Sequence, residues 1–440
     1  METISSAMPR PAVEAERRRA VIGGILSTFV DSYDIYLPAI VLPAAMGYFE
    51  PANLPTAIKV TFTSLIFTAT LIGRPLGSPI FGHLSDKVGR KRVAMITAAG
   101  YTLCTLIMAL LPGYAAWGYW PLILTIVLRL IDGMFLAGGY AATIPLALER
   151  ARWQVRGRVS GLLAAAAPAA LTAINLVLLF ALHITTRAGY QTWGWRIPFL
   201  VGVGLGVMFL LYYSRVSELE LEQAGESRAQ RRPLRELVRG NNLVVMAEVA
   251  LLSSGYWLAA QMVVSYLPVL LVGVLHEPPT AVGQYGFFTG FLNIAVMMLF
   301  GLVGNKLGSR RLMLLTGAWT ASVAAILWFL MIHLAQVRAS FWWVAVLAFV
   351  AHSLVAGTLG ALFAYLNEVF PTRVRSTGFS VGYTIGLIIP GFYSVWLLGL
   401  SHWVPYAYAS VVLLALGGLM CLAGTWLAPQ GRPRQDLLAE

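Results

Sequence analysis

Four ionisable residues interrupt two long apolar runs, with the same spacing in each run. Asp31 and Asp34 are three residues apart, and so are Arg129 and Asp132. On a helix, residues three apart lie on the same face, so each run would present two charged groups in one direction. Buried carboxylates beside an arginine can take up and release a proton, because burial favours the protonated acid and the arginine favours the carboxylate. The same groups could instead form a static ion pair between two helices, and both interpretations stay open.

The elements that carry these residues are long enough to cross a membrane. The chain has 440 residues, of which 58% are hydrophobic and 11% charged, with a mean hydropathy of +0.74. Soluble proteins carry about 25% charged residues, and a membrane-spanning helix needs about 20 apolar ones. We therefore predict an all-α membrane protein with twelve transmembrane helices. The runs lie at 21–48, 57–81, 93–113, 119–148, 159–182, 197–214, 243–273, 281–304, 312–334, 341–366, 376–399 and 403–427.

The net charge of +12 reflects orientation in the membrane. With these spans, 25 of the 31 Lys and Arg residues fall on one side. Basic residues accumulate on the cytoplasmic side of membrane proteins, so we expect both termini in the cytoplasm and a location in the plasma, or bacterial inner, membrane. We expect no nucleic-acid partner. The first run lacks a convincing cleavage site, so it is interpreted as a retained span and not as a signal peptide.

Two cysteines, Cys104 and Cys421, fall in apolar runs about three hundred residues apart. This spacing indicates neither a disulfide framework nor a metal site. We expect no metal and no other cofactor.

A charged stretch occurs twice along the chain. "GHLSDKVGRKR" at 82–92 recurs as "GLVGNKLGSRR" at 301–311, and the same offset of 219 residues aligns Glu149 with Glu368 and Arg156 with Arg375. Because each half has an even number of spans, the halves would be parallel repeats. We predict a cytoplasmic tail (1–20), a six-helix bundle (21–214), a cytoplasmic linker (215–242), a second bundle (243–427) and a C-terminal tail (428–440).

The repeated stretch is suited to a contact that breaks and re-forms. Glycines at 82 and 89 would allow a tight turn, Asp86 could face a helix N-terminus, and Arg90 and Lys91 could pair with carboxylates such as Glu149. Exposed ion pairs contribute only about 0 to 1 kcal/mol each to stability, so they can break and re-form as a gate requires. Alternatively, the stretch is a solvated loop whose basic residues only set the topology. The second copy is weaker, with Asn305 in place of Asp86 and Ser309 in place of Arg90. The predicted cytoplasmic gate comprises Gly82, Asp86, Gly89, Arg90, Lys91, Glu149, Arg156, Asn305, Arg310, Glu368 and Arg375.

The first charged stretch resembles the signature between spans two and three of the major facilitator superfamily, Gly-x-Leu-x-Asp-x-x-Gly-Arg-Lys. Further segments are similar to its metabolite:proton symporter branch and to the sugar porters: "GRPLGSPIFGHLSD", "RLIDGMFLAGGY", "WGWRIPFL" and "NEVFPTRVRSTGFSVGY". The resemblance covers essentially the whole chain. It implies two bundles that alternate access to a central cavity lined mainly by spans one, four, seven and ten.

The resemblance also implies roles for the charged residues. In sugar porters a span-one aspartate pairs with a span-four arginine, which correspond here to Asp34 and Arg129. "DSYD" at 31–34 resembles the acid-aromatic-aromatic-Asp pattern of metabolite:proton symporters apart from Ser32, and also the Asp-x-Tyr-Asp of phosphate symporters. Together with the spacing, this predicts proton coupling by Asp31, Asp34, Arg129 and Asp132.

The candidate substrate-binding residues are uncharged except for one arginine. Arg74 could attract an anion bidentately, or it could be the permanent partner of Asp31. The second half has Ser253 and Ala348 at the positions equivalent to Asp34 and Arg129, and it offers aromatic and polar groups instead. The predicted set is Arg74, Tyr33, Tyr256, Trp257, Gln261, Asn293 and His352.

These patterns predict a secondary active transporter, acting as a monomer in the bilayer, that couples protons to the uptake of a small organic anion, a mono- or dicarboxylate. Sugar or phosphate symport and proton-coupled export are the alternatives. Asp132 and Tyr140 differ from the Gln and Glu usual in the symporter branch, which leaves the substrate class open. Span five, "LLAAAAPAALTA", lacks the glycines of exporters. No motif of an enzyme active site is present in the sequence, and no stretch is long enough for a signalling domain, so we predict neither an enzyme nor a sensor.

Overall fold

The computed structural model describes residues 10–51, 56–216, 237, 241–370 and 374–427. Most of the predicted linker, the C-terminal tail at 428–440 and the first nine residues lie outside the described residues. The first helix begins at Arg10, so residues 10–20, which we expected to form a polar tail, extend the first span as helix.

The N-terminal half contains six long helices. They are α1 (Arg10–Val41), α2 (Thr56–Val88), α3 (Arg90–Leu110), α4 (Trp120–Arg150), α5 (Arg156–Ile184) and α6 (Arg196–Tyr213). Short helical segments follow α1 (Leu42–Ala45 and Met46–Phe49) and α3 (Tyr114–Trp117), and a π-helical turn, Tyr190–Gly194, precedes α6.

The C-terminal half also contains six helices, three of them irregular. They are α7 (Asn241–Ala260), α8 (Pro279–Leu307), α9 (Ser309–Trp319), α10 (Phe341–Val369), α11 (Arg375–Ile385) and α12 (Tyr406–Leu427). Two π-helical segments, Gln261–Tyr266 and Val269–Val274, extend α7. A π-helical turn and Ala325–Gln336 extend α9, and the chain bends by 42° between Arg375–Gly391 and Tyr393–Leu400.

The described residues form twelve successive long helices, some with short extensions, as the sequence predicts. Among the described residues, nine helices are long and apolar enough to cross a membrane, and the bent α11 segment is a tenth. The two remaining long helices, α1 and α2, carry Asp31, Asp34 and Arg74. The all-α architecture with twelve helices is confirmed.

The repeated charged stretch forms helix ends and not a loop. α2 continues through Val88 and α3 begins at Arg90, so Gly89 alone makes the turn. Its φ is 105°, and the equivalent Gly308 has a φ of 89°, values that side chains disfavour. Gly82 lies inside α2, so the expectation that it shapes the turn is wrong.

The described residues form two compact units. One contains residues 11–150 and 166–234, and the other contains 151–165 together with the C-terminal half from 235 onward. Helix α5 therefore begins in the C-terminal unit and continues in the N-terminal one, which the sequence did not indicate. The boundaries at 214 and 243 stay a prediction, because the stretch between them lies largely outside the described residues.

Tryptophans are concentrated on the surface. All but three of the thirteen are exposed, with Trp403 the most exposed at 86%. In each unit, exposed tryptophans occur at the helix ends that we expect on the outer side, such as Trp120 in one unit and Trp342 in the other. Aromatic residues at this level are typical of membrane interfaces.

Candidate functional site

Two glycines bring α2 and α4 into backbone contact. A Cβ on Gly73 would lie 2.2 Å from the carbonyl oxygen of Leu130, and one on Gly77 would lie 2.2 Å from that of Met134. Only glycine permits this approach, as in other small-residue helix contacts in membranes. The contact places Arg74, which lies between these glycines, beside α4.

A buried arginine joins α1 to α4. Arg129 Nη1 donates to Asp34 Oδ2 at 3.3 Å, to the main-chain oxygen of Asp34 at 3.1 Å and to Asp132 Oδ2 at 2.9 Å. The side chains of Arg129 and Asp132 are fully buried, and that of Asp34 is 5% exposed. The expected Asp34–Arg129 pair is thus present, with Asp132 as a second acid. Removing one partner of such a buried pair typically costs about 3 to 5 kcal/mol.

Helix α3 contributes two neutral residues to this pair. The Thr105 hydroxyl donates to Asp34 Oδ1, and Arg129 Nε donates to the Met108 sulfur at 3.2 Å. Both residues lie on one face of α3, and neither was predicted from the sequence. A threonine and a methionine inside an apolar run give no signal of their own, and the hydrophobic pattern does not show which face of α3 meets Asp34.

Asp31 is buried against α4 and α3. A Cβ on Gly139 would lie 2.5 Å from Asp31 Oδ2, so the carboxylate rests on the α4 backbone. Tyr101 of α3 lies beside it, and Arg74 is within electrostatic range. The Arg74 guanidinium carbon is 4.7 Å from the centre of the Tyr140 ring, a cation–π distance. Arg74 is therefore placed between Asp31 and an aromatic ring.

The charges in this part of the N-terminal unit do not balance. Three buried carboxylates face two buried guanidinium groups. An uncompensated charge is costly in a low-dielectric interior, and one proton would remove the surplus. The members of this charged cluster are Asp31, Asp34, Arg74, Arg129 and Asp132.

The Tyr33 hydroxyl forms its hydrogen bond outside the charged cluster. Its hydroxyl donates to the main-chain oxygen of Pro198 at 3.0 Å, and its ring belongs to a buried apolar cluster with Phe199 and Trp195. The structure therefore places Tyr33, which we proposed as a substrate-binding residue, in the packing between α1 and α6.

In the C-terminal unit, Trp257 lies among aromatic rings. Its ring centre is 5.3 Å from that of Tyr256 and 5.4 Å from that of Tyr383 in α11. Its Nε1 is buried without a hydrogen-bond partner among the described residues. Gln261 begins the π-helical segment that extends α7, and its Oε1 accepts a hydrogen bond from Ser265 at 2.6 Å. π-Helical turns are frequent at functional sites.

Asn293 and His352 belong to neighbouring helices of this unit. The Ser353 hydroxyl donates to Asn293 Oδ1 at 3.3 Å, which places α8 next to α10 at the residue after His352. His352 Nδ1 is buried without a hydrogen-bond partner among the described residues. These two predicted residues thus lie on neighbouring helices, and both keep hydrogen-bonding capacity.

The first copy of the predicted gate contains a bidentate ion pair. Arg90 donates from both terminal nitrogens to the Glu149 carboxylate, at 2.9 Å for Nη2. Lys91, which we expected to pair with a carboxylate, instead donates to the main-chain oxygen of Ser214 at 2.8 Å. Ser214 directly follows α6, and a cation is favoured at a helix C-terminus.

The second copy repeats these contacts with different side chains. Ser309 hydrogen-bonds to Glu368, and the two are 59 residues apart, as Arg90 and Glu149 are. Arg310 donates to the main-chain oxygen of Trp426 at the end of α12, at 3.1 Å. The aligned positions of the two halves therefore occupy equivalent places.

Asn305 holds the beginning of α5. The Gly157 amide donates to Asn305 Oδ1 at 2.8 Å, and the Asn305 amide donates to the main-chain oxygen of Gln154. A Cβ on Gly301 would lie 2.4 Å from the Gly157 oxygen. These contacts explain why the first turns of α5 group with the C-terminal half.

The end of α10 meets the same turns of α5. The amide of Ala364 donates to the Ser160 hydroxyl at 3.1 Å. Arg156 and Arg375 both lie within electrostatic range of Glu368. Of the predicted gate, the structure thus brings together Arg156, Glu368 and Arg375 in this unit.

Comparison with known proteins identifies the family. Residues 24–376 match the family model described as Major Facilitator Superfamily. The chain belongs to this superfamily.

Relatives within the superfamily carry small metabolites. The chain is 27% identical over 422 residues to the shikimate transporter of Escherichia coli K12, covering 93% of this chain and 94% of that one. It is 26% identical over 384 residues to the alpha-ketoglutarate permease of the same strain, covering 85% of each. The solved structure of a proton:xylose symporter matches with a TM-score of 0.75 at 15% identity, over 97% of this chain and 99% of that one. The protein is a multi-pass membrane transporter of small metabolites and not an enzyme.

One ionisable residue of this superfamily member was not anticipated. Glu248 lies in α7, and its Oε2 is buried without a hydrogen-bond partner among the described residues. Glu248 stands alone in the sequence, without a second charged residue three or four positions away, so its spacing gave no signal.

Proposed function

We propose that the protein couples the uptake of protons to the import of a small organic anion, a mono- or dicarboxylate, by alternating access in the plasma (bacterial inner) membrane. Both termini would lie in the cytoplasm. The observation that carries the proposal is the buried bridge that Arg129 makes between Asp34 and Asp132.

The bridge supports reversible protonation of Asp34. With Asp34 charged, Arg129 binds a carboxylate on each of two helices. When a proton neutralises Asp34, the 2.9 Å contact with Asp132 still compensates the arginine. No unpaired charge is left in the interior, which removes the largest cost of the step. A static pair would need only one of the two acids.

An anionic substrate is supported by Arg74 and by the substrates for which two relatives are named. Shikimate and alpha-ketoglutarate are both carboxylates, and a planar guanidinium binds a carboxylate bidentately. In this proposal Arg74 binds the carboxylate of the substrate. Gln261, Asn293 and His352 of the C-terminal unit stay predicted binding residues.

The paired ends of the helices would form the cytoplasmic gate. The Arg90–Glu149 ion pair and the Ser309–Glu368 hydrogen bond lie at the same point of the two repeats. Contacts of this kind are weak enough to break in each transport cycle once water reaches them.

The test is uptake into proteoliposomes with an inward proton gradient. Labelled shikimate, alpha-ketoglutarate, phosphate, xylose and betaine would be compared. We expect a carboxylate to accumulate above its external concentration and an uncoupler to abolish the accumulation. Asp34→Asn should retain exchange of substrate across the membrane but lose accumulation, because the amide cannot bind a proton.

Glu14→Gln is the matched control, because Glu14 is exposed near the start of α1, and it should behave as wild type. If phosphate or xylose accumulates and no carboxylate does, the substrate is phosphate or a sugar and not an organic anion. If transport does not depend on the proton gradient, or runs only outward, the proposed coupling of proton uptake to import is wrong.

A further inference from the structure

The hydroxyl of Thr105 is the partner of Asp34 that lies opposite Arg129. It donates to Asp34 Oδ1, while Arg129 donates to Asp34 Oδ2. Thr105 is 1% exposed and belongs to α3. Asp34 is therefore held from two sides, by a charge that can separate from it and by a neutral group.

The two partners differ in what they can do once Asp34 is protonated. A guanidinium group is only a donor, so it loses its hydrogen bond when the acid oxygen facing it carries the proton. A hydroxyl is both donor and acceptor. It can donate to the carboxylate and, after rotating, accept from the protonated acid.

We propose that Thr105 is a positioning residue for proton coupling, which holds Asp34 in place in both of its protonation states. This inference rests on the proposed function of Asp34. A proton from water binds Asp34 Oδ1, the Thr105 hydroxyl rotates and accepts a hydrogen bond from it, and the contact of Arg129 with Oδ2 weakens because the carboxyl group has lost its charge. Arg129 remains bound to Asp132 and to the sulfur of Met108.

The hydroxyl also sets how readily Asp34 binds a proton. A hydrogen bond to a charged group is stronger than one between neutral groups, so Thr105 stabilises the carboxylate more than the acid. Its removal should leave Asp34 protonated up to a higher pH. The other titratable groups within electrostatic range of Asp34 stay the same in such a variant: Asp31 and Tyr33 of α1, Tyr101 and Cys104 of α3, and Arg129 and Asp132 of α4.

The experiment measures the protonation of Asp34 directly. Infrared difference spectra of the purified full chain in nanodiscs would be recorded over a pH series, and the carboxylic acid band that disappears in Asp34→Asn would be assigned to Asp34. In Thr105→Val, we expect the midpoint of this band to move up by about one pH unit, since a hydrogen bond to a charged group is worth roughly this much. The band should also shift to higher frequency, because the protonated Asp34 no longer donates a hydrogen bond to the Thr105 hydroxyl.

Two variants separate this role from packing. Thr105→Ser keeps the hydroxyl and should restore the wild-type midpoint. Thr102→Val removes a hydroxyl from the same helix, one that packs against Gly206 and has no hydrogen-bond partner among the described residues. It should leave the midpoint unchanged.

Uptake by the same variants separates this inference from the proposed function. The pH optimum of gradient-driven uptake should move with the infrared midpoint. If Thr105→Val leaves the band unmoved, Thr105 is not a positioning residue, even if uptake remains proton-driven. If the band moves while wild-type transport ignores the gradient, Thr105 does hold Asp34 in place, but the proton-coupled function is wrong.

Discussion

The Arg129 side chain is shared unequally between two acids. Its Nη1 lies 2.9 Å from Asp132 Oδ2 but 3.3 Å from Asp34 Oδ2, and Nη2 is buried without a hydrogen-bond partner among the described residues. Charge-assisted hydrogen bonds are usually about 2.7 to 2.9 Å long. Arg129 is therefore bound firmly to its own helix and loosely to α1, which makes Asp34 the acid that separates first.

A second residue-scale consequence concerns Gly139, which lies against Asp31. In Gly139→Ala, the added Cβ would lie 2.5 Å from Asp31 Oδ2 and would displace the carboxylate from α4. We expect gradient-driven uptake to fall by roughly tenfold, since misplacing a functional group by about 1 Å can cost this much or more.

Gly204→Ala is the control for this change, because nothing lies within 4 Å of a Cβ at that position of α6. It should transport as wild type. Both variants would be measured as initial rates with equal amounts of protein in the membrane. Wild-type rates in Gly139→Ala would show that the position of Asp31 is not critical.

Helix α5 packs in both units. Its first turns touch α8 through Gly157, Gly161 and Gly301, while its residues from 166 onward belong to the N-terminal unit. Main-chain atoms meet where the glycines lie, so the contact tolerates no added carbon. The position of α5 against α8 is thus determined by glycines and by the Asn305 side chain.

Gly301→Ala tests this contact. Its Cβ would lie 2.4 Å from the Gly157 oxygen and 2.6 Å from the Gly161 Cα, so the two helices must separate. We expect slower uptake, slower exchange and a lower thermal midpoint in detergent. Gly304→Ala, one turn further along α8, would meet only the Leu312 side chain at 3.2 Å and the Ala361 Cβ at 3.9 Å and should be close to wild type. Equal behaviour of the two variants would contradict the importance of this contact.

The sequence predicted elements better than it predicted their contacts. The number of helices, the repeat and the Asp34–Arg129 pair follow from apolar run length, from the 219-residue offset and from charge spacing. The contacts of Thr105 and Lys91 do not, because a neutral hydroxyl or a main-chain oxygen is equally available at many positions. The division of α5 was also not predictable, since backbone approach at Gly157 and Gly301 depends on how the helices cross.

For the whole molecule, the charge distribution predicts one orientation in the membrane. Alkaline phosphatase fused to the C-terminus should be inactive and a fluorescent protein there should fluoresce, because 25 of the 31 basic residues would lie on the cytoplasmic side. Phosphatase inserted at Tyr114–Trp117 should be active, and the same insertion in the stretch 217–236 should be inactive. An active phosphatase at the C-terminus would show that the topology is the opposite of the predicted one.

The surface position of the tryptophans has a consequence for spectroscopy. Brominated lipids quench the fluorescence of tryptophans that they contact. They would quench most of the exposed tryptophans, so the remaining fluorescence would come chiefly from Trp195, Trp257 and Trp328. Trp328 donates to the Ser410 hydroxyl at 3.1 Å, and Trp195 is enclosed by Phe49 and Phe199, so the emission of both should be constant. Trp257 is a predicted substrate-binding residue whose Nε1 is unbonded among the described residues, so we expect its emission to change when a substrate binds to the unlabelled protein.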